Sequence, residues 1–286
     1  MWLFDVDKER CRMDFELDDG WQVLPIEGDT GTAYMGVKQD QRIFLKRNPS
    51  PFLAALSIEG ITPRLIWTRR TTSGDTLIAQ KWLNGRCLTK EEMKTSRVRR
   101  LLYRVHHSDI LRSMLRQVGG QVLTPSAFLR RVLAQLTVDL QEHPLIQQTV
   151  TLLQTEIPRT VKQDYRVCHT DLNHRNLLLS AVGQLYLVDW DHAIIADPAI
   201  DLGMLLADYV PLGQWDDWLT KYYGHFPDRV CRQAVFWYAT GTLVQRIATS
   251  HHAGRYHEMN QALLLLKRVA PLLAEQGSGY HTPDVS

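Results

Sequence analysis

The pattern of apolar and polar positions divides this chain into two unlike parts. From Trp21 to Leu83, short apolar runs alternate with turn residues: WQVLPI, TAYMGVKQ, RIFLKR, LIWT and TLIAQKWL. Runs this short, bounded by breakers such as Glu27-Gly28-Asp29-Thr30-Gly31 and RRTTSGD, predict β-strands. Within them PFLAALSIE, Pro51 to Glu59, predicts one short helix, with Ser50 as N-cap, Pro51 at its first position and Gly60 as its stop.

After Asn84-Gly85 the period lengthens. Ser96 to Arg116 carries Val98, Leu101, Leu102, Val105, Leu111 and Leu115 at mixed three- and four-residue spacing, which predicts an amphipathic helix. Ala127 to Leu140 and Leu145 to Leu153 continue in the same way, punctuated by Pro144 and Pro158, and DPAIDL (197–202) leads into a further helix. WDDWLTKYYG and FWYATGTLVQRIA read as packed aromatic helices, with Trp215, Trp218 and Trp237 as candidates to line a substrate pocket. The expected fold class is therefore α+β. It has a small β-rich part, residues 1–83, and a larger helical part, residues 84–286, whose last residues from 277 on form a loose polar tail. The arginines between the apolar positions of 97–116 are a solvated face, with a partner-binding patch as the alternative. His106 and His107 have no Cys or acidic ligands near them in sequence and read as structural.

One stretch departs from the helical pattern. Between Val167 and Asp191 stand two polar blocks, each fixed to an apolar run. The first is His169-x-Asp171-x-x-x-x-Asn176 followed by three leucines; the second is Leu185 to Val188 ending in Asp189-Trp190-Asp191. A Gly-containing turn separates them, so they predict a β-hairpin that brings the Asp171/Asn176 loop beside Asp189. Phosphoryl transfer needs such a set: a carboxylate to orient and deprotonate a hydroxyl, and an Asn and a second Asp to hold Mg2+ on the nucleotide phosphates. The plain alternative is a hairpin whose Asp and Asn side chains cap turns.

Upstream residues then take on roles. Gly28 and Gly31 lie between two strands, where a phosphate-covering loop belongs. Lys46, ending Ile43-Phe44-Leu45, is placed to reach the α/β-phosphates, and Glu59 is the one acid on the short helix that is available to pair with it. Gln80 to Leu83, including Trp82, fall where a linker offers backbone groups to adenine. His169 and Asp191 join Trp215 and Trp218 as candidate substrate contacts.

Composition limits the class without changing this picture. The chain has 286 residues, 44% hydrophobic and 22% charged, with a formal net charge of +2, so nothing demands a nucleic-acid partner. No apolar run approaches the about 20 residues that span a bilayer. The start, MWLFDVDKER, carries acids where a signal peptide is basic, and a cytoplasmic location is expected. The four cysteines are far apart and form no CxxC pair, which favours free thiols over zinc or disulfides.

HTDLNHRN, LVDWDHA and ADPAIDLG, in that order, resemble the aminoglycoside phosphotransferase and choline kinase superfamily, which has a bilobal protein-kinase-like fold. The phrases IFLKRNPSPFLAALSIEGITPRLIW, KWLNGR and VDWDHAIIADPAIDLGMLL are similar to one branch, the bacterial cell cycle regulator CcrZ family. The resemblance implies ATP and Mg2+ as cofactors, Asp171 as catalytic base, Asn176 and Asp189 as metal ligands, and Lys46 as the phosphate lysine. It also implies a small-molecule hydroxyl acceptor of ribose or 2-deoxyribose type. Through that branch it implies a link to replication-initiation and cell-division proteins. One departure stands out: Thr170 replaces the Gly that the superfamily commonly has between the motif His and Asp, and crowding in the loop is expected. Choline, ethanolamine or thiamine as acceptor is the alternative within the enzyme class, with Asp216 and Asp217 among the aromatics as its acidic pocket. A kinase-fold scaffold acting mainly through protein partners is the alternative outside it.

Overall fold

The computed structural model describes residues 20–26 and 32–277. Gly28 and Gly31, the proposed phosphate-loop glycines, lie outside the described residues.

The N-terminal part is a five-stranded antiparallel sheet. Its strands are β1 (Gln22–Pro25), β2 (Ala33–Lys38), β3 (Gln41–Arg47), β4 (Leu65–Arg70) and β5 (Thr76–Lys81), in spatial order β1-β2-β3-β5-β4. Alternation along β3 sends Ile43 and Leu45 to one face, where they form a small core with Tyr34, Leu77 and Ala79. Phe44 and Lys46 therefore fall on the other face, beside Ala33 and Gln80 of the flanking strands, and all four line the large cleft of the molecule. The strand period alone aims Lys46 into that cleft.

Helix α1 (Phe52–Ile58) sits between β3 and β4. Ser50 Oγ accepts from the Phe52 N–H at 3.2 Å, and Gly60 follows the helix at φ +64°, a left-handed conformation that ends it at no steric cost. Its apolar face, Phe52, Ala55 and Leu56, is buried in the main core of the helical part and not in the small sheet core.

After β5 the chain leaves the sheet. β6 (Gly85–Cys87) pairs with a different set of strands, and helices α2 (Ser96–His106), α3 (Asp109–Gln117), α4 (Pro125–Leu133), α5 (Val138–Glu142) and α6 (Pro144–Thr155) follow. The single helix expected over 96–116 is two. The chain turns at His107 and restarts where the Ser108 side chain caps α3 by accepting from the Leu111 N–H at 3.1 Å. Thr124 caps α4 in the same way, with Pro125 at its first turn, and the expected 127–140 helix ends at Leu133.

Four short strands then carry the motif. They are β7 (Arg166–Cys168), β8 (Leu177–Ser180), β9 (Leu185–Leu187) and β10 (Ile194–Ala196). β8 and β9 form the expected antiparallel hairpin, with β6 on its outer edge, while β7 pairs with β10. Helices α7 (Ala199–Tyr209), α8 (Trp215–Tyr223), α9 (Arg229–His252) and α10 (Tyr256–Gly277) complete the chain. α7 and α9 pack closely at Gly203, where an added Cβ would stand 2.6 Å from the backbone nitrogen of Ala239. An antiparallel sheet followed by a largely helical part is the α+β kinase-like arrangement. Among the described residues no helix is long and apolar enough to cross a membrane.

Candidate active site

The cleft, about 1380 Å³, runs between the N-terminal sheet and the helical part, and Lys46, Asp171, Asn176, Asp189 and Asp191 all line it. The loop between β7 and β8 supplies Asp171 and Asn176. The turn after β9 supplies Asp189 and Asp191, because the Val188 N–H donates to Asn176 O at 2.9 Å and fixes the two blocks side by side. Asp189 has φ +63°, a left-handed conformation that Asp tolerates better than most side chains.

Asp171 is held from both sides. Its Oδ2 accepts from Asn176 Nδ2 at 2.9 Å and its Oδ1 from Asn173 Nδ2 at 3.2 Å. The Asn176 amide nitrogen also donates to Asp171 O at 3.0 Å. Both of its protons are thereby committed, which leaves Oδ1 of Asn176 as that side chain's acceptor. Asp189 keeps 47% of its side chain exposed. An Asn oxygen and an open carboxylate form the hard, all-oxygen donor set that suits Mg2+.

Lys46 reaches across the cleft. Its Nζ stands 2.8 Å from Asp191 Oδ2 and 3.3 Å from Asp189 Oδ1. The expected Lys46–Glu59 pair is not formed. Glu59 follows the end of α1 that points away from the cleft, where its carbonyl accepts from Arg104 Nη2 at 2.5 Å, and it does not line the cleft. Burying Phe52 and Leu56 in the helical core sets that direction. Asp191, expected as a substrate contact, is instead the closer partner of Lys46.

His169 is fully buried and does not face a substrate. Its Nε2–H donates to Val188 O at 2.9 Å, which leaves Nδ1 to accept the Asp171 N–H at 3.3 Å. Burial lowers its pKa from the usual 6.5, against the pull of Asp201, so the neutral ring is the favoured form. The ring packs edge-on against Trp190 at 4.7 Å, and Trp190 in turn meets Phe52 of α1 at 6.0 Å.

Behind the loop stands Asp201, also fully buried. Its carboxylate accepts the His169 N–H and the Thr170 N–H, both at 2.8 Å, and meets His106 Nε2 at 3.0 Å. His106 Nδ1 lies 2.7 Å from the Tyr222 hydroxyl. Burial pushes the Asp201 carboxyl up, and the hydrogen bonds from the His106 ring and the His169 N–H help to outweigh it, for a net lowering. Asp201 thus braces the loop from behind, and His106, read in sequence as having no Cys or acidic ligand near it, in fact lies beside both Asp201 and Cys168. Thr170 sits at φ +62°. That is the left-handed region in which glycine is at ease and a β-branched side chain is an outlier.

The linker side of the cleft holds Gln80, Trp82 and Leu83. Gln80 is buried and its amide donates to Pro63 O at 2.7 Å, so the side chain braces the linker. Trp215 and Trp218, expected as substrate contacts, are core residues, 1% and 4% exposed, with indole N–H groups donating to Val210 O and Lys94 O. Trp237 is equally buried. Asp216 is taken up by Arg232 in a two-pronged pair and Asp217 by Lys221, and neither lines the cleft. Nothing of the aromatic and acidic pocket suggested by WDDW therefore reaches the site.

The sequence reading missed the far end of the cleft, formed by Asp208 and Tyr209 of α7 and by Thr242, Gln245, Arg246 and Thr249 of α9. Its signal was available: the last four recur at helical spacing as a polar stripe on a helix that is otherwise largely buried and apolar.

Comparison with known proteins gives this geometry its family. The profile of the phosphotransferase enzyme family (APH) matches residues 37–235. A choline/ethanolamine kinase family protein from Mesorhizobium loti superposes with a TM-score of 0.60 at 15% identity, over 89% of this chain and 90% of that one. LicA in complex with AMP gives a TM-score of 0.58 at 15% identity, over 91% and 95%. Spectinomycin phosphotransferase APH(9)-Ia in complex with ADP and spectinomycin gives 0.52 at 16%, over 90% and 92%. At these identities the superpositions speak for the fold, and the profile match for the family. The chain belongs to the phosphotransferase enzyme family, kinases that transfer phosphate from ATP to a hydroxyl of a small molecule.

Proposed function

We propose that the chain phosphorylates a hydroxyl of a pentose or nucleoside-like sugar at the expense of ATP. The observation that carries the catalytic assignment is the convergence of Asp171, Asn176, Asp189 and Lys46 on one cleft, with Asp171 fixed by two side-chain amides. In this reading the acceptor oxygen attacks the γ-phosphorus. As the new O–P bond forms, the bond to the bridging oxygen of ADP breaks and ADP leaves with the electron pair. The acceptor proton passes to the Asp171 carboxylate. Asn173 and Asn176 keep that carboxylate aimed, and Lys46 turns from Asp191 and Asp189 to the α/β-phosphates. Asn176 and Asp189 are the residues that would hold Mg2+, which offsets charge on the β- and γ-oxygens. Work of this kind is positioning plus electrostatics.

The adenine end is assigned to Trp82 and Leu83 with Ala33 and Phe44 as walls, and the division into nucleotide and acceptor parts to the step between residues 83 and 84. β6 supports that division, since it pairs with β8 of the catalytic hairpin and not with the first sheet. The sugar acceptor rests on the sequence likeness to the CcrZ family. It is favoured over choline because Trp215, Trp218, Asp216 and Asp217 are spent in the core and in ion pairs. The same likeness supports coupling of this activity to replication initiation and division, and an ATP-consuming kinase in which Cys87, Cys168 and Cys231 are free thiols fits the cytoplasm.

The test is phosphoryl transfer from ATP and Mg2+ to ribose, deoxyribose, nucleosides, choline, ethanolamine and thiamine, with products identified by mass. A sugar phosphate that disappears in Asp171→Asn is expected. Phosphocholine or thiamine phosphate in its place would overturn the acceptor assignment. A product that persists in Asp171→Asn would overturn the base. Pull-down with replication and division proteins tests the regulatory link, which fails if none is retained.

A further inference from the structure

The polar stripe of α9 faces the acceptor end of the cleft, and two of its members have unusual hydrogen-bond accounts. Thr242 is 7% exposed, and its hydroxyl has no hydrogen-bond partner among the described residues. A buried hydroxyl left unpaired costs about 1–3 kcal/mol, so such a group on a cleft wall calls for a partner from within the cleft. Arg246, one turn further along, donates from Nη1 to Asp208 Oδ1 at 2.7 Å, and the pair bridges α9 to α7. Their side chains keep 36% and 27% of their surface exposed, and among the described residues no other hydrogen bond engages either of them. One carboxylate oxygen and most of the guanidinium N–H groups are therefore open to a ligand.

The chemistry of this set is selective. A carboxylate already neutralised by a guanidinium offers a cation no net attraction, and a quaternary ammonium prefers an aromatic cage. Tyr209 is a single aromatic ring beside the pair, and one ring is not a cage. What the set offers is a strong acceptor, a strong fork of donors and a hydroxyl that serves as either. That combination matches a neutral molecule with several hydroxyl groups.

We propose that Asp208, Arg246 and Thr242 form a hydroxyl-reading subsite that binds a neutral polyhydroxylated acceptor and discriminates against cationic alcohols. The inference rests on the acceptor reading above and adds the residues that enforce it.

The experiment pairs turnover with direct binding of ribose and of choline, followed by ligand-observed saturation-transfer NMR, in wild type, Thr242→Val, Arg246→Met and Asp208→Asn. Thr242→Val is expected to weaken ribose binding and raise the acceptor KM about three- to tenfold, the worth of one hydrogen bond. Its KM for ATP should not move, and its melting temperature should not fall, because the lost hydroxyl has no protein partner. Arg246→Met removes the guanidinium paired with Asp208 and leaves the weaker influence of Lys90, so ribose binding drops and choline binding rises above that of wild type. Asp208→Asn loses ribose without gaining choline. Unchanged ribose binding in Thr242→Val and Asp208→Asn would overturn the subsite. Ribose binding by wild type without turnover would overturn the pentose kinase reading and leave the subsite to be judged on binding alone. No ribose binding by wild type would overturn both.

Discussion

The backbone N–H of Thr170 donates to Asp201 Oδ1 at 2.8 Å, so a carboxylate buried behind the loop holds the residue before Asp171 in a conformation that its side chain disfavours. The Thr170 hydroxyl adds a second tether, donating to His192 O at 2.9 Å. The crowding expected from the absence of glycine is met by anchoring the loop at both ends of one residue.

A comparison of two substitutions reads the strain directly. Thr170→Ala and Thr170→Gly both lose the tether to His192, and only the glycine relieves the left-handed strain. Thr170→Gly is expected to be the more stable of the two by about 1 kcal/mol, after allowing for the extra freedom of glycine in the unfolded chain. At an ordinary loop position the order is reversed. Urea unfolding of the two variants decides it, and an alanine variant at least as stable would show that the position carries no strain.

If Asp201 acts by holding Thr170 in place, its loss should matter less once that residue no longer resists. Asp201→Asn is expected to lower kcat by tenfold or more and to destabilise by about 1.5–3 kcal/mol, the worth of hydrogen bonds to a charged group. In a Thr170→Gly background the kcat penalty should shrink at unchanged KM for ATP, a non-additivity typical of residues in direct contact. His106→Phe, which removes the bond to Asp201 Oδ2, should follow the same pattern more weakly. Fully additive penalties would assign Asp201 and His106 to core stability alone.

The buried histidine predicts an acid limit with a definite sign. The folded-state pKa of His169 is lowered from 6.5, so above pH 6.5 both folded and unfolded chains hold it neutral and its contribution is complete. Below 6.5 the unfolded chain takes up the proton first, and stability falls until the pH passes the lowered folded value. Asp201, lowered from 3.8, contributes fully above 3.8, and that contribution disappears only at stronger acidity, in a separate step. Unfolding free energies measured between pH 5 and 8 should decline below about 6.5, with a slope that flattens in His169→Gln. An unaltered slope in that variant would place the titrating group elsewhere.

Much of this was legible beforehand because the relevant signals are local. The step from Asp171 to Asn176, the leucine run and the LVDWD strand each specify a turn or strand over a few residues, and the hairpin joining them needs no distant information. The strand period that aims Lys46 into the cleft is equally local. What failed depends on packing between elements far apart in sequence. Glu59 is the one acid next to α1, but the direction of α1 is set by Phe52 and Leu56 entering a core built largely from the helical part that begins near Leu88. The tryptophans of WDDW look like pocket walls in sequence and are core residues in the fold, since large aromatics serve both ends equally well. The stripe at Thr242, Gln245 and Arg246 was visible as spacing. Its orientation toward the cleft depended on which face of α9 meets α7 and α10.

The last prediction concerns Lys46. Its ammonium is the counter-charge for both Asp189 and Asp191, at 3.3 and 2.8 Å, with only 13% of the side chain exposed. A divalent ion approaching Asp189 must compete with it. Lys46→Met keeps the length of the side chain and removes the charge, leaving two carboxylates close together. Binding of Mg2+ or Mn2+ to the nucleotide-free protein should therefore tighten, by about fivefold if the pair contributes about 1 kcal/mol. The KM for ATP should rise in the same variant, because the phosphates lose their lysine. The two effects have opposite signs for metal and nucleotide, which a general loss of folding cannot produce. Calorimetric titration with Mg2+ and steady-state kinetics in ATP separate them. Weaker metal binding in Lys46→Met would mean that the lysine organises the two carboxylates for the ion and does not compete with it.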